Sequence, residues 1–277
     1  MSYYPDWLPD GTDPNVPSVA RTYDYMLGGA HNLAADRAMA EQIIKVMPTI
    51  KQLVRLNRAF LRRAVTHLVD SGVRQFLDIG SGIPTVGNVH EIVQRLDPEC
   101  RVVYVDKDPV AIAQSKLILH GNERTAAVQA DLREPDDLLA RPEVTGLLDF
   151  DRPIGLLLLL VVHFVPRDHD VLAMMARYRE RLVPDSYLVI SHATDDERPE
   201  TMRRTAEAVR DARSRDNLVY RTHDEVTELF AGFDIVEPGV TGFGLWRPDG
   251  VGSIADNPDD NMQIRVGVAR KPPGPTT

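Results

Sequence analysis

Short apolar runs alternate with longer amphipathic stretches from about residue 75 to the end of the chain. These runs predict five strands, near 75–79, 101–105, 125–130, 154–162 and 186–192. Because helical stretches separate them, the pattern predicts βαβ units and a parallel sheet. The run from Ile154 to Val162 lacks polar alternates, which is typical of a central strand buried on both faces. Two more strands are expected at 233–236 and 262–269, joined by a long loop.

The first quarter of the chain has a helical pattern instead. Helices are predicted from Ser18 to Leu27, from Asn32 to just before Pro48, and from Thr49 to Gly72. The last of these is amphipathic, which indicates that one face packs on the sheet domain. We therefore divide the chain into an irregular arm, a helical lid or appendage, an α/β domain and a disordered tail, at 1–17, 18–72, 73–270 and 271–277.

The composition is that of a water-exposed protein with an acidic surface. The formal charge is −9, from 32 basic and 41 acidic side chains, so no binding to nucleic acid is expected. Cys100 is the only cysteine and the histidines lack metal-ligand spacing, so no metal is expected. We find no signal peptide and no apolar run long enough for a bilayer, and we expect a cytoplasmic location without membrane contact. The oligomeric state is left open.

A glycine turn follows the first predicted strand. Residues 76–82 read FLDIGSG, in which Asp78 ends the strand and Gly80 and Gly82 leave room for a ligand beside the backbone. Pro84 follows where a helix can begin, since proline suits the first helical turn. A strand, a glycine turn and a helix in this order can hold a nucleotide-like ligand. The same turn can also be a simple connection between strand and helix.

The spacing of the glycines narrows the class of ligand. A dinucleotide-binding turn needs a third glycine where Thr85 stands, and no Gly-Lys-Ser/Thr follows as in a phosphate-binding P-loop. The remaining pattern, D-x-G-x-G, resembles the first motif of S-adenosylmethionine-dependent methyltransferases with a Rossmann-like fold. The resemblance implies that Asp78, Gly80, Ser81 and Gly82 contact this cofactor.

Two further strands end in aspartate. Asp106 follows the second strand, where a carboxylate can accept hydrogen bonds from both ribose hydroxyls. Asp131 follows the third strand, and in methyltransferases of this class an acidic residue there accepts from the adenine amino group. We include the next residues, Lys107 and Leu132, in the predicted cofactor site. A single aspartate at a strand end is usually a helix cap, but three in succession favour a ligand site.

The segment from Ala20 to Asn32 reads ARTYDYMLGGAHN and is unusually rich in aromatic and charged residues. One interpretation is a lid in which Arg21 and Tyr23 face cofactor and substrate. The other is a packing helix in which Tyr23 is buried and Arg21 forms an exposed pair with Asp24.

Together with this segment, several motifs resemble a bacterial family of S-adenosylmethionine-dependent methyltransferase-like proteins long catalogued as a domain of unknown function. The further matches are NRAFLRRA at 57–64, FLDIGSG at 76–82, YVDKDP at 104–109, VHFVP at 162–166 and LWRP at 245–248. The resemblance covers about residues 17 to 270. It implies a Rossmann-like class I sheet of seven strands with the last antiparallel, preceded by the helical appendage, and S-adenosyl-L-methionine as cofactor. The family leaves the substrate open.

Two polar residues of the third helix are candidates for the cofactor site. Asn57 shares a face with Leu53 and Phe60, so its amide must be paired, either with backbone or with cofactor. Arg58 lies on the basic face, where it is either solvated or close enough to contact the methionyl carboxylate.

Two residues are candidates on the substrate side. His163 follows the fourth strand, where a histidine is well placed as a general base. Its alternatives are packing, helix capping or a backbone contact to cofactor. Trp246 lies in the loop from Gly239 to Asn261 and is expected either to wall the substrate pocket or to pack for stability.

These observations favour a methyltransferase that acts on an oxygen or nitrogen of a small molecule. The alternative is a regulatory protein that binds S-adenosylmethionine without turnover. A nicotinamide-dependent oxidoreductase is disfavoured by the residues at the third glycine position.

Overall fold

The computed structural model describes residues 8–9, 12–84, 87–250 and 252–274. Thr85, most of the first eleven residues and the end of the predicted tail lie outside these ranges. The predictions made for those positions are therefore not addressed by the structure.

Within these residues the chain forms one mixed sheet of eight strands. They are β1 Gln75–Ile79, β2 Arg101–Asp106, β3 Thr125–Gln129, β4 Ile154–Leu159, β5 Tyr187–Ala193, β6 Asp234–Ile235, β7 Thr241–Gly242 and β8 Ile264–Arg270. Their order is β3-β2-β1-β4-β5-β8-β6, with β7 paired to β8. Strands β1 to β5 are parallel and β8 is antiparallel to β5. The predicted fold class is confirmed, and the extra strand is the two-residue β7 inside the long loop.

Helices cover both faces of the sheet and its carboxyl edge. They are α1 Val19–Leu27, α2 Ala34–Val46, α3 Ile50–Asp70, α4 Val89–Leu96, α5 Pro109–Ile118, α6 Pro135–Leu139, α7 Pro142–Thr145, α8 Val171–Arg181, α9 Pro199–Asp211, α10 His223–Glu228 and α11 Pro258–Met262. Along β4, Leu157 packs into the core on one face while Leu156 and Leu158 pack into the core on the other. This double burial explains the apolar run that predicted a central strand.

One helix start differs from the prediction. Helix α4 begins at Val89 rather than at Pro84, because the carboxylate of Glu91 accepts a hydrogen bond from the amide of Asn88 and fixes the first turn there. Helix α8 is capped by Asp170, which accepts from the amide of Ala173 at 2.9 Å.

The start of the predicted tail is ordered. Nζ of Lys271 donates to the carbonyl oxygens of Arg179 and Leu182 at the end of α8. Its backbone pairs with Ser186 and Asp185. Lys271 therefore continues the packing of β8.

We call helices α1, α2 and α3 the cap. The first half of α3 borders the carboxyl edge of the sheet with α1 and α2, and the rest of α3 packs on one face of the sheet. Met39, Ile43, Val54 and Val209 form a small core that joins the cap to α9. No helix in the described part of the chain is long and apolar enough to cross a lipid bilayer.

Trp246 belongs to the core rather than to a pocket wall. Its side chain is fully buried, and its ring makes edge contacts with Phe60 at 5.6 Å and His67 at 6.0 Å. Nearby, the buried guanidinium of Arg63 donates to the carbonyl oxygens of Trp246 at 2.9 Å and Phe243 at 2.7 Å. These contacts tie the long loop to α3, so the structure assigns Trp246 the packing role.

We predict that Trp246→Ala lowers the free energy of unfolding by about 3–5 kcal/mol, because the substitution leaves a cavity in a close-packed core. The neighbouring side chain of Leu245 is exposed, so Leu245→Ala is the matched control and should change stability by less than about 0.5 kcal/mol. Urea unfolding followed by circular dichroism measures both. Equal, small effects of the two substitutions would contradict the packing role.

Candidate active site

A cavity of about 490 Å³ lies between the carboxyl edge of the sheet and the cap. Cavities that hold small molecules are typically about 300–1,000 Å³. The ends of β1 to β4, all three cap helices and α9 contribute to its wall. It therefore occupies the position where open α/β sheets bind ligands, beside the strand-order switch between β1 and β4.

All ten residues predicted to bind the cofactor border this cavity. They are Asn57, Arg58, Asp78, Gly80, Ser81, Gly82, Asp106, Lys107, Asp131 and Leu132. Arg21, Tyr23 and His163 border it as well, whereas Trp246 does not.

The two glycines of the turn are needed for different reasons. Gly80 has φ +73°, and an added Cβ would lie 2.2 Å from the side chain of Val161, so this glycine permits contact with the end of β4. Gly82 has φ +62° and an added Cβ would meet only open space. The amides of Gly80 and Ser81 both donate to the carbonyl oxygen of Val105, at 2.8 and 3.1 Å. Gly82 is therefore the glycine that leaves room for a ligand. The amides of Gly80 and Ser81 instead hydrogen-bond to β2.

Asp106 is held in a fixed orientation at the end of β2. One carboxylate oxygen accepts from the amide of Gly82 at 2.8 Å and the other accepts from the amide of Asp108 at 2.9 Å. Burial raises the pKa of Asp106 to about 6, although both backbone hydrogen bonds oppose the shift. Each oxygen keeps a lone pair for a further donor, which suits a pair of ribose hydroxyls.

Asp78 is buried and carries a strongly shifted pKa. Burial raises it to about 7, and the positive charge of Arg58 opposes the shift while Asp106 adds to it. The carboxyl group is thus near half-protonation at neutral pH. A cation bound beside it would favour the charged form, as the sulfonium and ammonium groups of S-adenosylmethionine would do.

Asn57 and Tyr23 form a short hydrogen-bond chain. Nδ2 of Asn57 donates to the hydroxyl of Tyr23 at 3.4 Å, and this hydroxyl donates to the carbonyl oxygen of Val54 at 3.3 Å. Among the described residues Oδ1 of Asn57 has no partner, although it is buried. An unpaired buried amide oxygen is costly, by about 1–3 kcal/mol, and indicates a donor from a ligand.

Arg58 is not confined to a solvated face. Its guanidinium donates at 2.8 Å to the carbonyl oxygen of Gly87, in the segment that follows the glycine turn. This places its charge beside the end of β1, as the effect on Asp78 also shows.

At the end of β3, Asp131 is already paired. Both of its oxygens accept from Nε of Arg133 at 3.0 Å. Burial acts to raise the pKa of Asp131, but the hydrogen bonds from Arg133 prevail and lower it. The carbonyl oxygen of Leu132 accepts from the hydroxyl of Tyr178 at 2.7 Å, which anchors this edge of the cavity to α8.

Charged contacts join the cap to the turn after β2. Nε of Arg21 donates to the buried carboxylate of Asp36 at 2.7 Å, and Nη1 contacts Asp108 at 3.4 Å. The hydroxyl of Ser18 donates to the same oxygen of Asp108. Arg21 therefore does not form the exposed pair with Asp24, which instead accepts from Asn32 and from the amide of His31.

His163 lies in a short 3₁₀ turn after β4 and is buried. Its Nδ1 accepts from the amide of Ala193 at 3.4 Å, so the neutral ring carries its hydrogen on Nε2. Burial lowers its pKa well below the usual value, and the neighbouring His192 and Arg221 add to the shift. With Nδ1 engaged and its pKa lowered, this imidazole is a weak proton acceptor, which does not support the predicted role as general base.

Sequence reasoning missed a second group of residues that border the cavity. Met26, Met39, Met47, Met202 and Gln263 come from the cap, from α9 and from the start of β8. Their apolar helical spacing signalled burial but could not show which surface they would bury against. The position of Gln263 near the start of a predicted strand was the one available signal.

Most of the chain is similar to a known family and to solved structures. A family model described as S-adenosyl methyltransferase matches residues 5–272. A DUF574 family protein from Streptomyces avermitilis is 38% identical over 94% of this chain and 99% of its own, with a TM-score of 0.89. A protein from Thermobifida fusca to which methyltransferase activity has been ascribed is 37% identical over 97% of this chain and 100% of its own, also with a TM-score of 0.89.

A more distant structure shares the fold. Human N-acetylserotonin methyltransferase in complex with S-adenosylmethionine is 16% identical over 93% of this chain and 63% of its own, with a TM-score of 0.50. No curated protein matches the chain.

We predict that Asp106→Ala weakens S-adenosylmethionine binding by at least about 100-fold, because two charge-assisted hydrogen bonds to the ribose are lost. Asp234→Asn, at an exposed residue of β6, is the control and should bind as the unaltered protein does. Isothermal titration measures both affinities. Unchanged affinity in a folded Asp106→Ala protein would refute the ribose assignment.

We also predict that affinity for S-adenosylmethionine rises with pH. Since the folded-state pKa of Asp78 is raised to about 7, its stabilising contribution to the empty protein is present at low pH and lost as pH rises through 7. The empty protein favours the protonated Asp78, whereas a bound cation favours the charged carboxylate. Binding must therefore remove a proton below pH 7, and affinity should fall up to about tenfold per pH unit there.

The measurement is titration between pH 5.5 and 8.5 for the unaltered protein and for Asp78→Asn. The substitution should remove the inflection near pH 7 and stabilise the empty protein at pH 8. A pH-independent affinity in the unaltered protein would show that the carboxyl group of Asp78 does not sense the ligand.

Proposed function

We propose that this chain, which belongs to the S-adenosyl methyltransferase family, transfers a methyl group to a nitrogen or oxygen of a small molecule. Its cofactor is S-adenosylmethionine. The observation that carries the proposal is the cavity between sheet and cap, which gathers the three strand-end aspartates on one side and an apolar wall on the other.

The residues present fit this cofactor. Gly82 leaves open space where a bound molecule would approach the backbone, and Asp106 presents an oriented carboxylate. Asp78 would face the cationic part and Asp131 the adenine. The buried Oδ1 of Asn57 lacks a partner among the described residues and would accept from the methionyl ammonium.

The bound cofactor supplies a methyl carbon made electrophilic by its positive sulfur. The protein's contribution is then mainly to hold two reactants in line and to exclude water. The cap supplies this enclosure, because Ser18 and Arg21 fasten it to the same turn that presents Asp106.

The enclosed position of the cavity favours a small acceptor over a macromolecule. A side chain of a folded protein or a base of a nucleic acid would have to pass the cap, which buried contacts such as Arg21 to Asp36 hold in place. The acidic charge of −9 also disfavours nucleic acid.

The test uses S-adenosylmethionine with a radiolabelled methyl group and a bacterial lysate separated by size. We expect transfer of label to the fraction below about 1 kDa, the size range that cavities of this volume accommodate. Asp106→Ala is the control and should transfer none. Label in protein or nucleic acid alone would contradict a small-molecule acceptor, and cofactor binding without transfer to any fraction would favour the regulatory alternative.

A further inference from the structure

The strand order divides the cavity into two parts. The ends of β1, β2 and β3 carry the aspartates assigned to the cofactor, and we call this part the cofactor half. The rest lies at the ends of β4 and β5 and the start of β8, beneath the cap, and we call it the acceptor half. Because β4 is the neighbour of β1, a methyl group bound near Asp78 would point toward the acceptor half.

The acceptor half is lined largely by apolar side chains from separate helices. Four of the chain's eight methionines border the cavity, together with aliphatic and aromatic residues. Those that form this wall are Met26, Met39, Ile43, Met47, Val54, Leu159, Leu160, Phe164, Met202, Val209, Leu218 and Ile264. Methionine side chains adapt their shape and make favourable contacts with aromatic rings.

Most of the charged side chains that border the cavity lie in the cofactor half. The cofactor half contains Asp78, Asp106, Lys107, Asp108, Asp131 and Arg133. Asp216 pairs with Lys107, and Arg21 contacts Asp108. Asp216 and Arg21 therefore belong to the cofactor half as well. The charge of Arg58 lowers the pKa of Asp78, so Arg58 also belongs to the cofactor half. The other charged residues on the cavity wall, Asp13 and Arg215, are exposed. A charged acceptor would find no counter-ion among the described residues of the acceptor half.

The hydroxyl groups of the acceptor half already donate to backbone. Tyr23 donates to Val54 at 3.3 Å and Thr205 to Thr201 at 2.9 Å. Tyr220 donates to the carbonyl oxygen of Met202 at 2.9 Å. None of these hydroxyls has a hydrogen left for a ligand.

Gln263, by contrast, offers the ligand a hydrogen-bond acceptor. It is 1% exposed, borders the cavity, and donates through Nε2 to the carboxylate of Asp260 at 3.0 Å. This contact fixes the amide orientation, since a carboxylate only accepts. Among the described residues Oε1 of Gln263 is left buried and without a donor. This oxygen is therefore available to accept a hydrogen bond from a ligand in the acceptor half.

A general base is missing from the described wall of the acceptor half. Nδ1 of His163 is occupied by the amide of Ala193, and amide oxygens such as Oε1 of Gln263 are too weakly basic to take a proton. A hydroxyl nucleophile would need deprotonation before or during attack, whereas a neutral amine carries a free lone pair.

We propose, on the basis of the proposed function, that the acceptor is an uncharged, largely apolar amine of low basicity, such as an arylamine, that donates N–H to Gln263. The nitrogen lone pair forms the bond to the methyl carbon while the carbon–sulfur bond breaks and its electron pair stays on sulfur. The product is the methylated ammonium with the neutral thioether, and the extra proton leaves the ammonium to water after release.

The experiment compares matched probes at three ring sizes with the full-length protein. The amines are aniline, 1-aminonaphthalene and 2-aminoanthracene, and the hydroxyl partners are phenol, 1-naphthol and 2-hydroxyanthracene. A charged counterpart, 5-aminonaphthalene-1-sulfonate, completes the set. Binding is measured by titration in the presence of S-adenosylhomocysteine, and turnover by formation of that product from S-adenosylmethionine.

We expect at least one neutral amine to be methylated, at least tenfold faster than its hydroxyl partner and the sulfonate. The rate should be independent of pH between 6.5 and 9 with cofactor saturating, because no base is titrated. Gln263→Met, which keeps the size but removes Oε1, should weaken amine binding by about tenfold. Unchanged cofactor affinity in this variant shows that the fold is retained.

Several outcomes overturn the inference while leaving the proposed function intact. They are cofactor binding with preference for a hydroxyl or charged probe, a rate that rises with pH through a single ionisation, and cofactor binding with no amine bound at any ring size. Unchanged amine binding in a folded Gln263→Met protein also overturns it. Failure to bind S-adenosylmethionine at all would instead refute the cofactor site on which the proposed function rests.

Discussion

The turn after β2 is the contact on which the site depends, because it joins the sheet, the glycine turn and the cap. Asp106 receives the amides of Gly82 and Asp108, so its position and that of the glycine turn are fixed together. Two residues later, Asp108 caps α5 through the amide of Val110 and accepts from Ser18 and Arg21 of the cap. Loss of this turn would therefore disturb the proposed ribose site and the cap above it at the same time.

The electrostatics of the empty cavity follow from that enclosure. Burial of Asp78 and Asp106 raises both pKa values, to about 7 and about 6, so the empty protein holds carboxylates in surroundings that disfavour their charge. A bound cation and ribose hydroxyls would give these carboxylates the stabilisation that water gives to an exposed carboxylate. The acceptor half has a different character, since apolar side chains predominate there and Oε1 of Gln263 is buried without a donor among the described residues. The proposed sites for cofactor and acceptor therefore differ in chemical character as well as in position.

Much of the fold and of the cofactor half could be predicted from the sequence, because these rest on local signals. Apolar runs defined β1 to β5 within a few residues, and strand-end aspartates are read directly from the chain. The start of α4 was missed because Pro84 competed with the capping box formed by Asn88 and Glu91. The reason for Gly80 was also missed, since it depends on Val161, which follows another strand. The protonation of His163 and the burial of Trp246 depend on tertiary neighbours that no local pattern reveals.

Thermal unfolding with S-adenosylmethionine, S-adenosylhomocysteine or NAD tests the central claim most directly, namely that the cavity beneath the cap is an adenosyl site. A ligand present at 100 times its dissociation constant stabilises a protein by about 2.7 kcal/mol, or about 5–10 °C at this chain length. We predict this shift with both adenosyl compounds and none with NAD. A shift with NAD alone, or with none of the three, would contradict the account.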